Sequence, residues 1–196
     1  MNSKARLLAV FPALLFIAAP ALAHNGPHTA GGIVAGIVHP FTGIDHLVVM
    51  ILVGVWAVRL GGRAVWAIPA AFLAAMTAGF CLASAGFALP HYDAMIAASV
   101  LVLGLLVAFA SRPAGWVSLP MIAGFALFHG YAHGAERAGS GAGIAYIAGF
   151  IAATALLHLA GSWGSIVLRR RYGDSADRAA GTVATVIGLG LLAALS

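Results

Sequence analysis

Residues 31–58 form one long apolar run, broken only by His39, Thr42, Asp45 and His46. A run of that length reads as a membrane span. Ionisable side chains at membrane depth are costly, so their default reading is functional. A second such cluster, Phe128-His129-Gly130-Tyr131-Ala132-His133-Gly134-Ala135-Glu136, sits near the end of a later apolar run. Whatever this chain folds into must bring apolar helices together around two polar stripes.

The composition agrees. Of 196 residues, 62% are hydrophobic and 8% charged, against about 25% charged in soluble domains. An ordinary soluble globule is excluded, and the length suits one membrane domain. The net charge of +5 does not point to nucleic acid. The arginines stand singly or in one short cluster between apolar runs, the pattern of cytoplasmic loops. A single cysteine, Cys81, rules out an intrachain disulfide. At the start, Lys4 and Arg6 precede a short apolar stretch over 7–19, and Pro20-Ala21-Leu22-Ala23 ends in an A-x-A cleavage pattern. The expected organisation is a signal peptide over 1–23 and one transport domain over 24–196.

The fold class expected is an all-α membrane protein, a bundle of six transmembrane helices. Span 1 is broken near His39-Pro40, because proline disfavours the α region for the residue before it and suits a first helical turn. A short segment, a break at His39 and a helix over 40–58 follow. The other spans are expected over 65–89, 94–110, 116–135, 143–168 and 179–195. Between them lie a tight basic loop at Arg59–Arg63, a polar loop with His91 and Asp93, a turn at Arg112, an outer loop with Arg137, and a charged loop from Arg169 to Arg178. A cleaved signal puts the mature N-terminus outside. The loops after spans 1, 3 and 5 are then cytoplasmic and hold Arg59, Arg63, Arg112, Arg169, Arg170, Arg171 and Arg178, whereas the outer loops hold only Arg137. Signal and positive-inside bias agree on both mature termini being periplasmic, in a multi-pass protein of the bacterial inner membrane. Small-x-x-x-small pairs, Gly32/Gly36 and Gly130/Gly134, favour close helix approach. The two polar motifs do not occupy matching positions of an inverted repeat.

His39 and His46 are seven apart, and His129, His133 and Glu136 stand at i, i+4 and i+7, each set forming one helical stripe. At about 1.5 Å per residue, His46 and His129 both lie roughly 20 Å above the cytoplasmic boundary, so the two motifs can face each other near the periplasmic mouth. Two carboxylates, Asp45 and Glu136, balance one divalent cation, and neutral imidazoles add donors without charge. Such a mixture suits nickel, cobalt, zinc or iron better than calcium or magnesium. His24 and His28, at the mature N-terminus, are candidates for metal capture, against a reading as an incidental tail. His158, within span 5, is either a lower relay ligand or a core histidine. His91 and Asp93 read as solvated loop residues. Cys81, Met50, Met76, Met95 and Met121 read as apolar filler.

His39-Pro40-x-x-Gly43-x-Asp45-His46 and Phe128-His129-Gly130-x-Ala132-His133-Gly134-x-Glu136 resemble the two motifs of the HupE/UreJ family. The resemblance covers essentially the whole chain. It implies a nickel or cobalt permease associated with hydrogenase or urease maturation, in which His39, Asp45, His46, His129 and Glu136 handle the metal and His133 also matches. It implies the divalent ion as cargo rather than any prosthetic group. The partners it implies are the metal ion, membrane lipid, and hydrogenase or urease maturation factors. The alternatives are a metal- or haem-binding accessory membrane protein without transport activity, and an intramembrane metalloprotease. The latter lacks the H-E-x-x-H pattern, since Gly130 follows His129.

Overall fold

The computed structural model describes residues 32–136 and 143–196; the expected signal peptide, His24 and His28 lie outside them. The described residues form seven α-helices and one 3-10 turn, with no strand. They are α1 (Ile33–Val38), the 3-10 turn His39–Phe41, α2 (Ile44–Leu60), α3 (Ala64–Ser84), α4 (Tyr92–Ala108), α5 (Gly115–Glu136), α6 (Ile144–Tyr172) and α7 (Ser175–Ala193).

The break in the first apolar run is present, but it is set differently from a helix starting at Pro40. Pro40 belongs to the 3-10 turn, and the long helix begins after Gly43, whose backbone is extended (φ −107°, ψ 126°). The Asp45 carboxylate accepts the His46 backbone N–H at 2.8 Å, occupying a first-turn amide that has no intrahelical partner. The helix therefore starts where a side chain can satisfy it. The two pieces meet at 86°, so residues 33–41 run across α2 rather than continuing it.

The charged loop from Arg169 to Arg178 is also smaller than expected. α6 continues through the three arginines, which suit the negative end of its dipole. Gly173, at φ 61°, closes the helix in the left-handed region, and α7 starts at Ser175. On the opposite side, α3 ends at Ser84, short of the expected residue 89, and Gly86 turns the chain at φ 82°.

α2 is the central helix. Between His46 and Arg59 it is apolar on every face, and Val49, Met50, Val53, Trp56 and Ala57 are fully buried; a helix hydrophobic all round belongs inside. Around it, α1 and α2 pack on α6, α3 on α5, and α4 on α7. Paired glycines allow the backbones to touch. A Cβ at Gly54 would overlap the His158 carbonyl, and one at Gly161 the Ile51 carbonyl; Gly79 and Gly130 stand in the same relation across α3 and α5. Replacing Gly54 by valine forces α2 from α6 and should reduce the yield of monodisperse protein several-fold. Gly124, where an added Cβ meets nothing, should accept alanine without loss. Size-exclusion profiles of the two variants check this.

Outward-facing side chains are apolar. Trp66, Trp116, Trp163, Ile144 and Val186 are all at least 65% exposed. Three helices, α3, α6 and α7, are long and apolar enough to cross a membrane, and the bent α1–α2 pair makes a fourth. α4 is apolar but has 17 residues. α5 has 22 residues but carries the second polar cluster.

One end of the bundle gathers the arginines. Arg59 at the end of α2 is 1% exposed, and its Nη1 donates to Asp177 Oδ2 at 2.9 Å; Asp177 is 3% exposed. Ser165 of α6 donates to the same oxygen at 3.0 Å. Arg169 Nη2 lies 2.9 Å from Asp174 Oδ1, and Arg178 donates to the Ala108 carbonyl. Asp177, expected in a loop, is thus a buried link between α2, α6 and α7. Trp66 and Trp116, at the first turns of α3 and α5, ring the same end, where tryptophan favours the lipid–water boundary.

Candidate metal site

The opposite end of the bundle holds both polar motifs. The 3-10 turn projects His39 towards α5, while Asp45 and His46 occupy the first turn of α2. His129, His133 and Glu136 descend one stripe of α5. The stripes face each other. His39 Nε2 and His133 Nδ1 are 2.8 Å apart, one imidazole N–H donating to the other. Glu136 Oε2 lies 3.3 Å from His39 Nε2 and 3.7 Å from His133 Nδ1. Among the described residues this trio is the one set of such groups whose ligand atoms all lie within 4.8 Å of one another. A circle through the three atoms has a radius of about 1.9 Å, close to the roughly 2.0–2.2 Å usual for imidazole and carboxylate donors, so the three would hold an ion once the proton between the two rings moves to the far nitrogen of its ring.

A second layer lies beneath. The His46 ring is 4.3 Å from that of His133 and 5.0 Å from that of His129, centroid to centroid. Rings in direct contact leave no slot for a macrocycle between them. His46 Nδ1 donates to Asp45 Oδ1 at 2.8 Å, and His129 Nδ1 donates to the Phe125 carbonyl at 2.9 Å. Both acceptors are pure acceptors, so each ring carries its proton on Nδ1 and keeps a lone pair on Nε2. Those two Nε2 atoms, and that of His133, are buried without a hydrogen-bond partner among the described residues. Imidazoles oriented by a carboxylate or a carbonyl on one nitrogen, with the other left bare, are arranged as metal ligands are.

All six motif residues therefore meet at one end, at two levels. His133, near the end of α5, is 1% exposed. Glu136 is the outermost of the six, with its side chain 46% exposed. His158 stands apart, deeper in α6. His91 and Asp93 are exposed and take no part. Three aromatic residues went unnoticed in the sequence: Tyr146 and Phe150, whose rings lie 5.9 and 6.2 Å from that of His39, and Phe72, between His129 and His158. Aromatic residues inside apolar runs carry no local signal; only their neighbours in space distinguish them. The cleft lined by Arg63 and Arg112 lies at the arginine end, away from the histidines.

The comparisons with known proteins bear on this arrangement. The family model described as HupE / UreJ protein matches residues 12–191. The chain belongs to the HupE/UreJ family. It is 41% identical over 181 residues to Protein HupE of Rhizobium leguminosarum bv. viciae, which covers 91% of this chain and 94% of that one. No solved structure matches it. Family membership and the apolar helices together make the chain a multi-pass membrane protein.

Proposed function

We propose that the chain carries nickel or cobalt ions from periplasm to cytoplasm across the bacterial inner membrane, as a secondary or facilitated transporter rather than an enzyme. The observation that carries this reading is the meeting of His39 with His133 and Glu136. Donors from a bent first segment and from α5 converge inside an otherwise apolar bundle. The HupE/UreJ family is associated with nickel and cobalt uptake for hydrogenase and urease, which supports the choice of cargo and of the enzymes supplied.

Six crossings accommodate α2 to α7, with residues 33–41 lying across the outer end and a cleaved signal before them. The arginine-rich end is then cytoplasmic by the positive-inside bias, and the histidine end opens to the periplasm. His39, His133 and Glu136 take the ion first, replacing water. Asp45 orients His46 and contributes the second negative charge, and His46 and His129 present bare Nε2 atoms to the next step. His24 and His28 lie upstream of this mouth in the sequence and serve as collectors.

The test is uptake of radiolabelled nickel by cells carrying Asp45→Asn or His46→Ala. Asparagine can turn an N–H towards His46 Nδ1 and favour the wrong tautomer; alanine removes the ring. Both variants should reach the membrane and accumulate no metal above background. Wild-type uptake by both would refute the reading.

A further inference from the structure

Deeper than the six motif residues, towards the arginine end, one histidine remains. His158 of α6 is 2% exposed, and neither of its ring nitrogens has a hydrogen-bond partner among the described residues. Among the described residues no carboxylate forms an ion pair with it. Its carbonyl touches Gly54 of α2, eight residues beyond His46, or about 12 Å deeper at 1.5 Å per residue. A purely structural histidine would hydrogen-bond at least one nitrogen, since buried polar atoms without partners forfeit their hydrogen bonds to water.

The material between the two levels is ordered. The Phe72 ring lies 5.8 Å from His129 and 5.1 Å from His158, the latter edge to face at 89°. One turn before His158 on the same face of α6, Thr154 directs its hydroxyl at the Met76 sulphur, 3.9 Å away. Met76 stands one turn after Phe72 on α3. That hydroxyl and thioether thus stand one turn nearer the histidine end than Phe72 and His158, on the outer side of the ring. Val53, Trp56 and Leu157 belong to the buried apolar cluster of the same core.

We propose that His158 is a second metal position, on the inner side of Phe72, occupied by the ion after it leaves the outer histidines. The proposal rests on the transport reading above and extends it. An ion held by carboxylates cannot step into apolar side chains; it needs a donor already in place. Conduction also needs sites favourable enough to enter and weak enough to leave. One neutral imidazole, without the carboxylates of the outer cluster, meets both demands. An imidazole donor suits nickel and not magnesium or calcium. Phe72 separates the positions, so its ring must turn for the ion to pass.

The experiment uses the full chain in nanodiscs, with Co²⁺ alone as probe, comparing wild type with His158→Leu. Cobalt absorption bands and equilibrium dialysis should give two bound ions for wild type and one for the variant. In cells, maximal uptake should fall about tenfold or more, as loss of a supporting metal contact commonly does, while the concentration for half-maximal uptake stays unchanged because the outer cluster is intact. Wild-type stoichiometry and uptake in the variant overturn the proposal. If wild type itself binds no Co²⁺ and takes up none, the transport reading fails and this one with it; one ion bound by both proteins, with equal uptake, removes only the inner position. His158→Phe, matched to the ring in shape, decides by the same readings if leucine gives no folded protein.

Discussion

His133→Ala is expected to abolish nickel accumulation while leaving the protein in the membrane. His133 is the one residue that belongs to both layers. Its Nδ1 stands 2.8 Å from His39 Nε2 and 3.7 Å from Glu136, and its Nε2 is bare and buried beside His46. Losing the partner that merely orients a ligand commonly costs 10–100-fold in metal affinity, so losing a ligand itself should exceed about 100-fold. The hydrogen bond that alanine removes here joins α5 to the 3-10 turn and not to another long helix. The neighbours of His133 are the aromatic faces of Phe150 and His46, 4.3 Å away in each case. Uptake of radiolabelled nickel, normalised to protein in the membrane fraction, checks the outcome; uptake within twofold of wild type contradicts the ligand role. Glu136→Gln should cost less, because the more exposed carboxylate keeps an oxygen donor after the change and water can reach the site.

The second large effect lies at the other end and concerns stability. Asp177→Ala leaves Arg59 buried without its 2.9 Å partner, and Asp174 alone cannot replace it: it is half exposed and 3.5 Å from Nη2. Breaking a buried ion pair by removing one member costs about 3–5 kcal/mol, because the remaining charge is uncompensated. Ser165 also loses its acceptor. Thermal unfolding in detergent should show a large fall in midpoint. The double replacement Arg59→Met with Asp177→Leu should recover most of it, since an apolar pair of similar volume removes the stranded charge. A double variant as unstable as the single one contradicts the ion pair as the cause.

Much of this molecule is readable from local patterns. The apolar runs, the break at His39-Pro40 and the spacing of the two motifs were plain, and the motifs do face each other at one end. Element boundaries were less so. α2 starts at Ile44 rather than Pro40 because Gly43 is extended and Asp45 satisfies a first-turn amide. α6 runs through Arg169–Arg171 because a basic last turn continues a helix as readily as it ends one. Arg59 and Asp177 read as loop charges because they are 118 residues apart, and no local pattern announces a pairing of that range. Met76 reads as filler for the same reason, and Phe72 carries no local signal at all.

Hydropathy and the spacing of rare polar residues settle what is local: which stretches are helices, which end carries positive charge, and which side chains are too costly to be idle. Distances across the bundle are settled by packing. Glycine contacts between α3 and α5, and between α2 and α6, decide how close the backbones come. That closeness brings His39 within 2.8 Å of His133, sets Phe72 between His129 and His158, and buries Arg59 on Asp177. Such contacts depend on the shapes of many side chains at once, so only the tertiary structure decides them.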